Sequence, residues 1–290
     1  MESPVRGLLG DPVLDPDEEA FLVFSQAIPS QSLGFIDSKA SSINIEVAGR
    51  DLTISHSRGL LTSDRKAGTT GAVVWKVTPL FAEWIASTNF LVSTGYVSPD
   101  SSALELGTGV SGIVALTLGT KIKRYIATDQ DYVIRLLQHN ITENLPVPPT
   151  TAPKRKSDKH KKSKPTSRQP VPDIQILQLD WELDSVNSLP TLLSAQDGVD
   201  LIIACDCVYN DALIEPLNNT CEQICRLRAN DSTSKPTLCL IAQQLRAPDV
   251  FEAWLKSFHR RFHVWKVPDE LLTEPLRENS GFIVHVGILR

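Results

Sequence analysis

The spacing of apolar residues along the chain differs before and after residue 100. In the first part, Ile43–Val47 and Leu52–Ile54 alternate apolar and polar residues around a turn at Gly49, which predicts a β-hairpin. The Ala20–Ile28 stretch is apolar without a clear period, so it fits a helix and an edge strand equally well. Thr78 is the expected N-cap of a helix with Pro79 at its first position, and the apolar spacing after them predicts that helix.

Beyond residue 101, short apolar runs alternate with amphipathic stretches of helical period. The runs predicted as strands are Ala103–Leu106, Tyr125–Thr128, Ile174–Leu179, Leu201–Ala204 and Leu238–Ala242. The stretches predicted as helices are Ile113–Leu118, Tyr132–Asn144, Ala212–Arg228 and Val250–Phe258. This alternation predicts an α/β fold with a parallel sheet. Two last runs, Phe262–Val267 and Phe282–Leu289, have no long helix between them and predict a closing antiparallel pair.

The composition fits a globular chain with one large domain. Of 290 residues, 41% are hydrophobic and 22% are charged, and no apolar run has the length of a membrane span. The five cysteines cannot form a complete set of disulfides, and their spacing does not suit a metal site. We therefore expect reduced thiols, no metal and no membrane association. The expected location is the cytoplasm, with the nucleus as a second location.

Positive charge is concentrated in one segment of the chain. Residues 154–168 hold eight of the 29 Lys and Arg residues but one of the 34 Asp and Glu residues, so the rest of the chain is acidic. Residues 146–172 are rich in Pro and Lys, which predicts a disordered insertion. The basic segment fits three roles: a solvated tether, a nuclear import signal, or an arm that contacts ribosomal RNA or an acidic protein surface.

A glycine turn stands between the first predicted strand of the sheet and the next helix. Glycines at 107, 109 and 112 allow a tight bend and close approach of a ligand to the backbone. This pattern alone fits a dinucleotide site, an adenosyl site or a turn without a ligand. Glu105 could hold an α-ammonium group or order the loop, and Asp129 could accept ribose hydroxyls or cap a helix. Together the two acids favour an adenosyl amino acid.

Several ordered motifs resemble the class I seven-strand protein-lysine methyltransferases. These motifs are Trp75, ALELGTGVSG at 103–112, ATDQD at 127–131, LDWEL at 179–183 and ACDCVY at 204–209. The resemblance covers roughly residues 43–290, so residues 1–42 are interpreted as a partly flexible extension. It implies a Rossmann-like fold with a seven-stranded, mostly parallel sheet, helices on both faces and an antiparallel C-terminal hairpin.

The resemblance also implies a cofactor, a substrate and site residues. The cofactor is S-adenosyl-L-methionine. Within the family the similarity is strongest to fungal enzymes that act on a ribosomal protein, the L1-stalk protein of the large subunit. By matching position, the cofactor-binding residues are Trp75, Gly107, Thr108, Gly109, Asp129, Trp181 and Cys205. Asp129 would bind the ribose and Trp181 would lie beside the adenine, although ordinary core packing remains an alternative for both tryptophans.

Asp206 and Tyr209 are the predicted catalytic residues. They follow the fourth strand of the predicted sheet, at the edge where open α/β sheets bind ligands. We expect Asp206 to capture and orient the incoming ammonium group, and Tyr209 to form a cation–π wall. The alternative is structural, with Asp206 capping the next helix and Tyr209 packing on it.

Three other functions remain open from the sequence. The chain could methylate another protein, such as an elongation factor, or a small molecule. It could be an NAD-dependent oxidoreductase that uses the same glycine turn, or a binding module without activity. We expect a monomer that acts on a protein substrate.

Overall fold

The computed structural model describes residues 4–29, 34–37, 39–57, 70–145, 171–186, 198–228 and 235–290. The first two strands form a separate hairpin, β1 (Ser42–Val47) and β2 (Arg50–Ser55). The other seven form one sheet: β3 (Ser102–Leu106), β4 (Arg124–Asp129), β5 (Ile174–Gln178), β6 (Leu201–Cys205), β7 (Leu238–Gln244), β8 (Phe262–Lys266) and β9 (Phe282–Leu289). Apolar side chains fill both faces of the central strands, so every residue of β6 is buried.

The strand order of the sheet is β5-β4-β3-β6-β7-β9-β8. Strands β3 to β7 run parallel, and β9 lies antiparallel to both β7 and β8. The chain builds outward from β3 to β5 and then returns to the other side of β3 with β6. Such a reversal opens a crevice at the carboxyl ends of the strands. The predicted Rossmann-like sheet with an antiparallel C-terminal pair is confirmed.

Helices cover both faces of the sheet. They are α1 (Pro4–Leu9), α2 (Pro16–Ser25), α3 (Val77–Ala86), α4 (Phe90–Ser93), α5 (Ile113–Leu118), α6 (Asp131–Asn144), α7 (Ile214–Arg228) and α8 (Pro248–Arg261). Helices α3, α5 and α6 pack into one buried core, and α2, α7 and α8 into the core on the opposite face. The crevice therefore lies between two packed layers.

Two local expectations are settled by capping and turn geometry. The ambiguous Ala20–Ile28 stretch lies largely in helix α2, where the Asp15 carboxylate accepts the backbone N–H of Asp17 at 2.8 Å. The expected N-cap at Thr78 is wrong, because α3 begins at Val77. The backbone N–H of Thr78 already donates to the Trp75 carbonyl at 3.1 Å, so the turn forms before the predicted cap.

The hairpin is attached to the sheet domain through amide side chains of α6. Asn140 exchanges two 2.9 Å hydrogen bonds with the backbone N–H and carbonyl of Ser55. Asn144 does the same with Thr53, also at 2.9 Å. Asn140 also donates to the Val110 carbonyl at 2.8 Å, so one buried side chain connects the hairpin to the glycine turn.

Two further expectations concern the surface of the chain. Within the described ranges, no helix is long and apolar enough to cross a membrane. The basic segment 154–168, and nearly all of the predicted insertion 146–172, lie outside the described residues.

Candidate active site

A cavity of about 250 Å³ opens at the carboxyl ends of β3, β4 and β6. It brings together residues that lie far apart in the chain, from the segment before α3 to the start of α7. Nine of the ten predicted site residues line it: Trp75, Gly107, Thr108, Gly109, Asp129, Trp181, Cys205, Asp206 and Tyr209. The tenth, Glu105, does not.

The glycine turn forms the floor of this cavity. Gly107 and Gly109 both have a φ of 66°, in the left-handed region that favours glycine. A Cβ atom on Gly107 would lie 2.8 Å from the Cys207 sulfur and 3.2 Å from the Trp181 ring. The turn therefore needs glycine for its backbone conformation and for the space in front of the indole.

Asp129 reaches the cavity from the end of β4. Its carboxylate accepts the backbone N–H groups of Gly109 and Gln130, both at 2.7 Å. The residue that precedes α6 is Gln130, so Asp129 joins the turn to the strand and does not cap the helix. Burial raises the pKa of Asp129 to about 6. The carboxylate remains on the cavity wall, where it can accept further hydrogen bonds.

Glu105 does not line the cavity, so its expected contact with the ligand remains a prediction. Its neighbours Leu104 and Leu106 enter one core, so strand alternation directs Glu105 to the other face of the sheet, beneath the turn. There the Tyr125 hydroxyl donates to its carboxylate at 2.8 Å. Burial raises the pKa of Glu105 to about 7, and the bond from Tyr125 opposes that rise. The hydrogen bond from Tyr125 joins the side chain of Glu105 on β3 to β4.

The two predicted tryptophans are half-buried at the cavity and lie outside the fully buried core. Trp181 faces Gly107, as described above. Trp75 donates from its indole nitrogen to the Thr70 carbonyl at 3.1 Å and packs against Phe35, with ring centroids 4.5 Å apart. Both indoles present apolar surface to the cavity, as binding of a flat aromatic ligand requires.

Cys205 and Cys207 lie side by side at the end of β6 and are both buried. The Cys205 sulfur is 3.9 Å from the Thr78 hydroxyl, and the Cys207 thiol donates to the Leu106 carbonyl at 3.2 Å. Burial raises the pKa of both thiols well above its usual range. Both thiols are therefore protonated near neutral pH, so they act as small apolar wall groups and not as nucleophiles.

Asp206 lines the cavity, and its carboxylate is paired with a side chain outside the lining. Two nitrogens of the Arg246 guanidinium donate to its two oxygens, at 2.8 and 2.6 Å. The expected capture of the incoming ammonium group by Asp206 remains a prediction, and the carboxylate would act there as the partner of Arg246. Asp206 has a φ of 60°, so a left-handed elbow turns the chain toward Tyr209, which is 39% exposed at the cavity.

Sequence reasoning missed three residues of this region. Arg246 follows the end of β7, and a charged residue at that edge of the sheet was the available signal. Gly71 accepts the Val110 backbone N–H at 2.8 Å and so packs against the glycine turn. Thr78 lines the cavity, although its sequence position beside Pro79 indicated only a cap.

Comparison with known proteins identifies the class of protein. A family model described as lysine methyltransferase matches residues 55–156 and 160–252, which is more than half of the chain. The chain belongs to the lysine methyltransferase family and is an enzyme. Two alternatives from the sequence analysis, an NAD-dependent oxidoreductase and a binding module without activity, are therefore excluded. The resemblance inferred from the motifs is confirmed.

Two curated relatives have names that specify a ribosomal substrate. A ribosomal lysine N-methyltransferase 5 of Zygosaccharomyces rouxii is 30% identical over 68% of this chain and 67% of its own length. Its namesake in Eremothecium gossypii is 27% identical over 78% of this chain and 81% of its own length. Among solved structures, a Pyrococcus abyssi tRNA (uracil-54, C5)-methyltransferase with S-adenosyl-L-homocysteine has 12% identity and a TM-score of 0.41, covering 87% of this chain and 45% of its own.

The methyl donor of this enzyme is S-adenosylmethionine, and the cavity has the features that its nucleoside requires. A ribose needs a hydrogen-bond acceptor, and the Asp129 carboxylate lies on the wall. An adenine needs a flat apolar surface, and Trp181 offers one. The glycine turn leaves open the space that a Cβ atom on Gly107 would fill.

Proposed function

We propose that this enzyme methylates a lysine of a ribosomal protein, the L1-stalk protein of the large subunit. The observation that carries the proposal is one cavity that combines a donor-binding wall with an aromatic rim at Tyr209. The ribosomal part of the proposal is supported by the names of the relatives from Zygosaccharomyces rouxii and Eremothecium gossypii. The particular ribosomal protein follows from the motif resemblance.

In this proposal the donor lies along the glycine turn. Gly107, Thr108 and Gly109 would approach it through their backbone, and Asp129 would accept its ribose hydroxyls. Trp181 would pack beside the adenine. Trp75 and Cys205 would line the part of the cavity near the reacting group; Cys205 is buried and small, which leaves room there.

The acceptor amine must be neutral to attack. A lysine with a pKa near 10.4 is neutral in roughly one molecule in 2,500 at pH 7. When bound, S-adenosylmethionine supplies an electrophilic methyl group and a positive charge that disfavours the ammonium form. The protein's own contribution is alignment of the amine and partial exclusion of water. Tyr209 would hold the side chain at the cavity mouth through its ring face.

The proposal also includes the location and oligomeric state of the enzyme, the role of its basic segment and its domain division. A ribosomal substrate fits a cytoplasmic enzyme that works as a monomer, with the nucleus as a second location. The basic segment 154–168 would contact ribosomal RNA or an acidic surface near the substrate. The domain division at residue 43 and the insertion at 146–172 are part of the same proposal.

The proposal is tested by supplying purified enzyme with isotope-labelled S-adenosylmethionine and extract from cells that lack it. We expect one labelled protein, identified by mass spectrometry as the L1-stalk protein with a methylated lysine. An Asp129→Ala variant is the control and should leave the extract unlabelled. Label on an elongation factor or on a small molecule would replace the proposed substrate. Donor binding without any label would refute protein methylation.

A further inference from the structure

The carboxylate of Asp206 and the guanidinium of Arg246 form a bidentate pair at the edge of the cavity. The two bonds measure 2.8 and 2.6 Å, and the backbone N–H of Gln244 adds a third donor at 3.2 Å. The side chain of Asp206 is 1% exposed and that of Arg246 is 22% exposed. A parallel pair of this kind fixes the orientation of both groups.

The guanidinium lies behind the carboxylate and not in the path of a substrate. Asp206 lines the cavity, whereas Arg246 does not. The Arg246 guanidinium lies over the Trp75 ring at 5.0 Å from its centroid, and it donates to the Gln244 side-chain carbonyl at 2.9 Å. A Cβ atom on Gly34 would come within 2.6 Å of it, so the N-terminal segment closes the remaining side.

We propose that Arg246 is a positioning residue that keeps this end of the cavity electrically neutral, so that the acceptor lysine can lose its proton there. The inference rests on the proposed function. An unpaired carboxylate would stabilise the ammonium form and raise the pKa of the substrate lysine. The guanidinium cancels that charge and also holds the left-handed elbow at Asp206. The lysine proton passes to solvent water, and the freed nitrogen lone pair is then available for attack.

Other titratable groups lie in the cavity wall or close to it. Glu105 and Asp129 have pKa values raised to about 7 and about 6 by burial, and the buried thiols of Cys205 and Cys207 stay protonated at neutral pH. Burial also raises the pKa of Tyr209. The cation Lys76 follows Trp75 in the chain. All of these groups are retained when Arg246 is changed, so a difference between variant and wild type isolates the pair.

The test measures single-turnover methylation of recombinant, unmodified L1-stalk protein between pH 6.5 and 10. In Arg246→Met the carboxylate is left unpaired, and we expect the acidic limb of the rate profile to move up by about one pH unit. The double variant Asp206→Asn with Arg246→Met is neutral again and should return the limb to the wild-type position. Arg246→Lys retains the charge and should keep the limb while lowering the plateau rate.

A second variant covers the case in which Arg246→Met does not fold. Asp206→Asn leaves the guanidinium unopposed, so its acidic limb should move below that of the wild type. Limbs that stay in place while plateau rates fall would show a purely structural role and overturn the inference. A faster reaction in Arg246→Met at every pH would show that the guanidinium blocks the site, which also overturns it. If wild-type enzyme transfers no methyl group to this protein, the proposed function itself fails.

Discussion

The two halves of the cavity each present an aspartate at the end of a parallel strand, yet the two acids have opposite environments. In the proposed function, the donor half is the set Gly107, Gly109, Asp129 and Trp181. The acceptor half is the set Trp75, Asp206 and Tyr209, with Arg246 behind Asp206 and outside the lining. In the donor half, Asp129 accepts two backbone N–H groups at 2.7 Å. In the acceptor half, Asp206 is bound by a guanidinium.

This difference determines what each acid can do. A backbone N–H has only a partial charge, so Asp129 keeps its negative charge and can attract hydroxyl donors. A guanidinium has a full charge, so it removes the net charge of the carboxylate that it pairs with. The same residue type at the same edge of the sheet is thus suited to bind a ligand in one half and to order the wall in the other. Four substitutions test this comparison, from the largest expected effect to the smallest.

Gly107→Ala should have the largest effect on the donor half. The added Cβ would lie 2.8 Å from the Cys207 sulfur and would displace the Trp181 ring. We expect the affinity for S-adenosylhomocysteine to fall roughly a hundredfold, or about 3 kcal/mol, measured by calorimetry. Gly49→Ala is the matched control, because Gly49 has a similar φ of 69° and no atom within 4 Å of the added Cβ. Equal affinity in both variants would mean that the turn does not contact the donor.

Asp129→Asn should lower that affinity about twentyfold at pH 7, because a charged acceptor is lost. In the wild type the pKa of Asp129 is about 6, so the ionised form disappears as the pH falls. Affinity should therefore fall about tenfold between pH 7 and pH 5 in the wild type, and stay level in Asp129→Asn. Glu105→Gln serves as the control for the second acid that titrates in this range. A wild-type affinity independent of pH would contradict the assignment to Asp129.

Trp181→Ala should reduce donor affinity by about fivefold, as expected for loss of one aromatic surface beside a base. Its effect should be confined to the donor half, since Trp181 makes no hydrogen bond to the Asp206–Arg246 pair among the described contacts. The measurement is a pair of titrations, one with S-adenosylhomocysteine and one with the acceptor protein. A loss of acceptor affinity larger than the loss of donor affinity would place the indole in the other half.

Asn140→Ala should change donor affinity least, by less than about twofold, because the side chain lies outside the cavity lining. It should instead reduce the free energy of unfolding by about 3 kcal/mol, since one buried and two part-buried backbone groups lose a partner. Urea unfolding gives this value, and His139→Ala, an exposed neighbour on α6, is the control. Equal stability of the two variants would show that the hairpin is held by other contacts.

Local pattern predicted the sheet and the position of the cavity well. The run Leu201–Ala204 is continuously apolar because β6 is buried on both faces, and the glycines at 107 and 109 are required by local backbone geometry. Family resemblance, and not pattern, predicted Trp75, Trp181 and Tyr209 as site residues. Their binding roles remain predictions.

Pattern failed where a residue depends on a distant partner. Arg246 is 40 positions from Asp206; its place after β7 indicates the edge of the sheet, but no local signal identifies Asp206 as its partner. Glu105 stands in β3, which has apolar residues on both faces, so the apolar pattern does not indicate the side on which its carboxylate lies. The start of α3 was missed because a turn at Trp75 precedes the residue that resembles a cap.

The asparagines of α6 have a consequence for how this molecule meets other chains. An outer strand usually offers a row of free backbone groups to which a foreign strand can add. At Thr53 and Ser55 those groups are already bound by amide side chains, so α6 occupies the place of a third strand. This side of the hairpin is therefore protected from edge-to-edge aggregation at these two residues.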